Sequence, residues 1–492
     1  MLTRLQFLAT TAAVAVAPAL RESQATSEPT FSPDVVRGDL DAVWSALVDV
    51  GADPFRTSKR SEVEALYRST RASITEPLTT RQAWLAIAPV LGALNDGHVG
   101  LGFPDPLNAA PRRFPLHFAL SETDGSLIVA GDRTKTIPPG STVVSVDDIA
   151  AERFRSATLA AFGGQTATMH RTRVTMAGAW TAVALFGAGP TYRVRWIGPD
   201  GVQHSDDIAA TPAPGAPAPR PSPAAVSASA SPPAAAPSPT ASSAAAPAKS
   251  LPYTYHTLRD GTVGFIDYRS CEGLDTFKDF LTATFAAIKA APIRGLVIDI
   301  RHNGGGDSRL NDALWPYVSK KPFKQYGGVI IKACERLKRE YGHDRYVDIY
   351  GDEAWRAADG TILRFGMDPN SDIIVPPATL DARYSGPVYL LISAQTFSSA
   401  MSCALAAKDY GLATIVGEET GEPVNSTGEI YSLTTPGIGL RASLTTKVFL
   451  SPKPHPDGQG VVPDIAVATT PADSAAGRDP VLERVLALIP NA

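Results

Sequence analysis

Two stretches of the chain put glycines and hydroxyls where chemistry can be done. The first, Asp299-Ile300-Arg301-His302-Asn303-Gly304-Gly305-Gly306-Asp307, directly follows the apolar run that begins at Gly295. Consecutive glycines have no Cβ, so such a turn can take positive φ and aim backbone N–H groups at an approaching molecule. An oxyanion developing during acyl transfer could be held there. A plain glycine-rich turn has the same composition. The second stretch, Ser393-Ala394-Gln395-Thr396-Phe397-Ser398-Ser399-Ala400-Met401, follows the apolar run PVYLLI and leads into a helical pattern. A serine at a strand-to-helix turn lies near the positive end of the helix dipole, beside N–H groups with no intrahelical partner. That setting suits a nucleophile, and it equally suits an ordinary N-cap serine.

The elements that must position these stretches follow from periodicity. After residue 250 strand-like runs alternate with helical ones: GTVGFIDY, a helix over 274–290, GLVIDI, PVYLLIS and a helix over 399–408. That alternation predicts an α/β domain at 251–492 with a βαβ sheet and its functional loops at the carboxyl ends of strands. Upstream, Leu40, Val43, Trp44, Leu47 and Val48, then Trp84, Ile87, Val90, Leu91 and Leu94, recur at helix spacing and predict a helical domain at 29–104. Short alternating runs such as FPLHFAL, GSLIVAG and TYRVRWIG predict a β-rich module at 112–208, with a helix at 151–162. Residues 209–250 read as a linker. From 211 to 250 only Arg220, Val226 and Lys249 interrupt Ala, Pro, Ser, Thr and Gly, a composition that cannot bury enough apolar area to offset its ordering entropy.

Bulk properties narrow the function. At 492 residues the chain is long enough for several cores, and a net charge of -4 gives no basic field for nucleic acid. Arg4 ahead of the apolar run Leu5 to Ala19 reads as a signal peptide over 1–24, so the mature protein is expected to be exported, to the periplasm or beyond. No later run reaches the ~20 apolar residues of a membrane span. Cys271, Cys334 and Cys403 have no CxxC partner, so no metal centre or cofactor is implied, and Cys403 reads as a core residue.

In combination the motifs are specific. Gly295 to Asp464 resembles the C-terminal processing, or tail-specific, serine peptidases and their tricorn relatives, which have a ClpP/crotonase-like α/β core. The likeness rests on Asp299 to Gly306, Thr396 to Met401, Asp409-Tyr410-Gly411, Gly417 to Gly421 and Gly460 to Ile465, in that order. It implies Ser398 as nucleophile, eleven residues before Asp409, and an oxyanion hole from the N–H of Ser399 with Gly305 or Gly304. The best-known branch carries its general-base lysine where this chain has Pro423. A serine hydroxyl still needs a base. Leu94-Asn95-Asp96-Gly97-His98 resembles the segment that supplies the catalytic histidine in the tricorn-like branch, which implies His98. His302, His455 and Lys408 are rivals. Asp457 stands near the position of the orienting glutamate in those relatives.

The module at 112–208 resembles the PDZ domains of these peptidases, notably at Pro139 to Asp148, and places a peptide-binding loop at Arg112, Arg113 and Phe114. The expectation is an exported serine endopeptidase acting on a peptide or protein substrate. A carrier that binds a ligand on the same scaffold without catalysis is the alternative. Oligomeric state is left open.

Overall fold

The computed structural model describes residues 28–102, 112–121, 124–187, 189–212, 252–366, 380, 382–470, 473 and 476–490. The signal peptide lies outside the described residues, as does the linker from 213 to 250. No described helix is long and apolar enough to cross a membrane.

The α/β domain forms as its pattern predicts. Strands β7 (Tyr253–Leu258), β8 (Val263–Tyr268), β9 (Gly295–Asp299), β12 (Val388–Ile392), β13 (Thr414–Gly417) and β16 (Ile465–Ala466) make one sheet in the order β7-β8-β9-β12-β13-β16. All pairings from β8 onward are parallel, and β7 runs antiparallel. Every residue of β9 and β12 is buried because both faces are covered. Leu296, Ile298, Leu390 and Ile392 face a core shared with helices α6 (Leu274–Ala290) and α9 (Ser399–Tyr410), while Val297, Tyr389 and Leu391 pack against α10 (Pro480–Leu488). β9 and β12 are direct neighbours, with Asp299 opposite Leu391. The two chemical stretches therefore leave the sheet side by side.

A second sheet has the order β11 (Ile362–Phe365), β10 (Gly328–Lys332), β15 (Arg441–Leu450), β14 (Ser426–Thr434). Its face is covered by α1 (Pro33–Val50), α3 (Thr80–Gly92) and α8 (Glu335–Tyr350), with α2 (Arg60–Ser73) contributing Val63. The helical periodicity upstream is thus correct, but the helices share one core with the C-terminal half: Leu40, Trp84 and Ile87 belong with Ile331, Leu337, Tyr346 and Leu444. Strand β1 (Gly100–Gly102) carries the union further by pairing with Arg441–Ser443 of β15. The Asp39 side chain fixes the join. It is fully buried and accepts from the Gly437 and Ile438 N–H groups at 2.7 and 2.8 Å and from the Thr435 hydroxyl at 2.7 Å.

The intervening module has the sheet β6-β5-β4-β3-β2, formed by Gln203–Ala209, Thr191–Ile197, Thr142–Val146, Leu127–Asp132 and Leu116–Leu120, with Ile149–Ala150 added to β4. The expected helix is α4 (Ala151–Ala161). A longer one, α5 (Ala167–Phe186), was not legible as a helix. The loop assigned to peptide binding is placed otherwise. Phe114 is core, packed on Phe118, Phe186 and Tyr192, and Arg112–Arg113 pair in a short ladder with Thr211–Pro212. That ladder also makes the first residues of the expected linker part of the module.

Asp39→Ala removes the acceptor of two backbone N–H groups and a hydroxyl, and is expected to lower stability by about 2–4 kcal/mol, measured by urea unfolding.

Candidate active site

Three neighbouring strands deliver the site. The turn after β9 is tied to the turn after β12 by the Phe397 N–H, which donates to the Asn303 carbonyl at 3.1 Å, and by the Thr396 and Ser393 hydroxyls, which donate to the Ile300 and Arg301 carbonyls. Arg301 anchors the base of the turn. Its guanidinium bridges Asp299 and Asp479, each at 2.7 Å, and these carboxylates outweigh the burial that opposes its charge.

Ser398 stands between Phe397 and the first residue of α9 with φ 55° and ψ -128°. A side-chain-bearing residue is rarely found there, and the conformation persists only where the surroundings enforce it. Gly305 is part of that enforcement. At φ 99° it lies so close that a Cβ on it would stand 2.6 Å from the Ser398 Cβ and 2.9 Å from the Ser399 nitrogen. The Asn303 side chain holds the turn, accepting from the Gly305 N–H at 2.9 Å and donating to the Tyr268 carbonyl at 3.0 Å. The Gly305 N–H is engaged in this way, while a Cβ on Gly304 would meet open space. Ser399 begins α9, so its N–H has no intrahelical partner. Its hydroxyl donates to the Gly306 carbonyl.

His98 reaches this turn through β1. Its loop is pinned by Asp96, which accepts from the His98 N–H at 2.9 Å and from the Thr427 and Thr445 hydroxyls at 2.7 and 3.1 Å. The imidazole packs on the Phe397 ring with centroids 4.5 Å apart. Its Nδ1 lies 3.2 Å from Glu422 Oε1, out of line for a hydrogen bond, and Nε2 is buried without a hydrogen-bond partner among the described residues. The other Glu422 oxygen accepts from the Ser398 N–H at 2.6 Å. One fully buried carboxylate, on the loop after β13, therefore touches both the serine and the histidine. Burial disfavours charge on His98, yet the neighbouring Glu422 and Asp96 carboxylates more than offset it, and the net shift is upward.

The remaining sequence candidates lie elsewhere. Asp457 is exposed in a turn, and Glu422 holds the place beside His98 that was expected of it. His455 Nε2 is 2.9 Å from Asp409, His302 faces Gln395 and Lys408 pairs with Asp464, so each rival has a partner other than Ser398. The three cysteines are buried and free, with Cys403 in the core as expected. Glu422 was missed because Glu418, Glu419 and Glu422 fall in one short loop and nothing local marks which is buried. Its position directly before Pro423, where the lysine branch has its base, was the available signal.

A strained serine at a strand-to-helix turn, with a glycine turn against it and an imidazole–carboxylate pair beside it, is the arrangement of a serine hydrolase. Residues 262–467 match the model of Peptidase family S41. No curated protein matches the chain in sequence. Among solved structures, mature CPAF is 17% identical, with 89% of this chain and 94% of that chain covered and a TM-score of 0.58. A mutant of CPAF is 16% identical over 93% of this chain and 97% of that one, with a TM-score of 0.60. The photosystem II D1 C-terminal processing protease is 14% identical, covering 88% and 93%, with a TM-score of 0.41. The likeness to CPAF is one of fold.

Gly305→Ala forces a side chain into the left-handed region and against Ser398, and is expected to cost about 1–3 kcal/mol in urea unfolding. Gly304→Ala, with open space at its Cβ, is the control and should change stability by less than about 0.5 kcal/mol.

Proposed function

We propose that this protein is an exported serine endopeptidase that cleaves peptides or the C-terminal regions of proteins through an acyl-enzyme on Ser398. The reading rests above all on Glu422, whose two oxygens meet the Ser398 N–H and the His98 ring. His98 Nε2 takes the Ser398 proton as Oγ attacks the scissile carbonyl carbon. The C–N bond then breaks as that proton passes to the leaving amine. Water enters through the same base, forms the new C–O bond and releases Ser398. The N–H groups of Ser399 and Gly304 hold the oxyanion. Glu422, rather than Asp457, orients His98 and stabilises the imidazolium that forms in each step. The peptidase family supplies the reaction class, and the apolar run at the N-terminus supports export.

A fluorophosphonate probe should label the folded protein and fail to label Ser398→Ala. Equal labelling of the two proteins, or none of either, would leave a ligand carrier as the better description.

His98 is a base only when neutral, and its surroundings raise its pKa. The acid limb of kcat/KM is therefore expected above about pH 6.5, with activity rising as pH rises through it. Glu422→Gln keeps an acceptor for the Ser398 N–H but removes the charge. It should lower kcat by roughly 10²–10⁴-fold and move the limb to lower pH, while Asp457→Asn should do neither. The reverse ranking in a pH–rate comparison would return the orienting role to Asp457.

A further inference from the structure

Helix α5 of the β-rich module forms one wall of the site. Its capping residue Thr166 donates to the Gly421 carbonyl at 3.0 Å, and the Thr168 hydroxyl donates to Glu419 at 3.2 Å, so the first turn grips the loop that carries Glu422. Gly421 is pressed between that turn and the strand-end residue Ala394: a Cβ on it would stand 2.4 Å from the Met169 methyl and 2.2 Å from the Ala394 carbonyl oxygen. Two helical turns beyond Thr166, on the same face, comes Arg173. Its Nε donates to the Gly163 carbonyl at 2.7 Å. Its Nη2 lies against Gly97, where a Cβ would be 3.3 Å from it and 2.6 Å from the Phe397 ring. The residue before His98 is therefore glycine because a cation and an aromatic ring occupy the side-chain space.

The charged groups around the His98 ring come from three elements. Asp96 is on its own loop, Glu422 is on the loop after β13, and Arg173 is on α5. The hairpin β14–β15 contributes only the Thr427 and Thr445 hydroxyls, already bound to Asp96. Two carboxylates and one guanidinium thus surround one imidazole. Burial lowers Arg173 to about 10 although both carboxylates favour its charge, and its field opposes a proton on His98.

We propose that Arg173 is a positioning residue of the hydrolytic site: the β-rich module delivers its guanidinium behind Gly97 to offset Asp96 and Glu422, so that His98 is available as a neutral base near neutral pH. Seating of α5 on the 419–422 loop is then a condition of activity, because the helix turn that grips Glu419 and Gly421 is continuous with the turn that carries the guanidinium. This rests on the reading of Ser398 and His98 given above.

The test separates the two. In the full-length Ser398→Ala protein, histidine labelled with ¹³C reports the His98 titration by NMR, assigned by the signal lost in His98→Ala. Arg173→Gln is expected to raise the His98 pKa by about one unit, and Arg173→Lys to restore most of the shift. With Ser398 intact, Arg173→Gln should move the acid limb of kcat/KM upward by the same amount, so that about a tenfold loss at pH 7 is recovered toward pH 9. An unmoved titration, or a loss of activity equal at every pH, overturns the proposal. If Arg173→Gln does not fold, Arg173→Met is measured in its place, and failure of both to fold makes the residue a structural requirement only and also overturns it. A shifted titration in a protein that neither labels nor hydrolyses faults the peptidase reading and not the placement of Arg173.

Discussion

Glu422 is a carboxylate with no solvent exposure, and the arrangement around Ser398 depends on how it is compensated. A buried charge is costly unless hydrogen bonds and opposite charges replace its hydration. Here the Ser398 N–H supplies one bond, the His98 ring lies at Nδ1 distance from the other oxygen, and Arg173 adds positive charge from a third direction. Each compensating group comes from a different segment of the chain, so satisfying the carboxylate requires all of them to be assembled. The His98 ring lies against Phe397, with Nδ1 3.2 Å from Glu422 Oε1 and Nε2 without a hydrogen-bond partner among the described residues.

Compensation alone would not hold the serine in its strained conformation. That falls to the parallel sheet, where β9 and β12 pair in register and release their turns on the same edge. Hydrogen bonds between those turns fix Phe397 and Thr396 relative to Asn303 and Ile300, and Gly305 lies directly against Ser398. The left-handed glycine and the strained serine are two halves of one contact. A Cβ on Gly305 would stand 2.6 Å from the Ser398 Cβ, so the strain at the serine is supported by the absence of a side chain at the glycine.

What was legible in the sequence is what local pattern determines. The apolar runs gave β9 and β12, the glycine run gave the turn at 304–306, and the onset of helical spacing after Ser398 marked the start of α9 to the residue. What was not legible depends on partners distant in sequence. Helix α5 reads poorly because it is covered on several sides, by the module sheet and by the 419–422 loop, and so has no single apolar stripe. Glu422 reads as one of several acids in a solvated loop until β13 is placed beside β12. Phe114 reads as part of a binding loop from its place at the start of the module, and only the packing of Phe118, Phe186 and Tyr192 around it shows a core position. The upstream helices were recognisable by period, but period says nothing about which sheet they cover.

That last point bears on how a histidine 300 positions before the serine can be part of one site. Loop closure over such a distance costs little more than over a short one, because the entropy grows only with the logarithm of length. The larger need is a rigid frame for the arriving loop. Strand β1 provides it by adding to β15, Asp96 locks the preceding turn onto Thr427 and Thr445, and the Trp84 indole donates to the Leu101 carbonyl from α3. The helices around α1 and α3 bury their apolar faces on the same sheet that receives β1, so residues 33–102 share one core with that sheet. His98 is consequently held by the second sheet and Ser398 by the first, and Glu422, on the chain that passes from β13 of the first to β14 of the second, is the group placed to meet both.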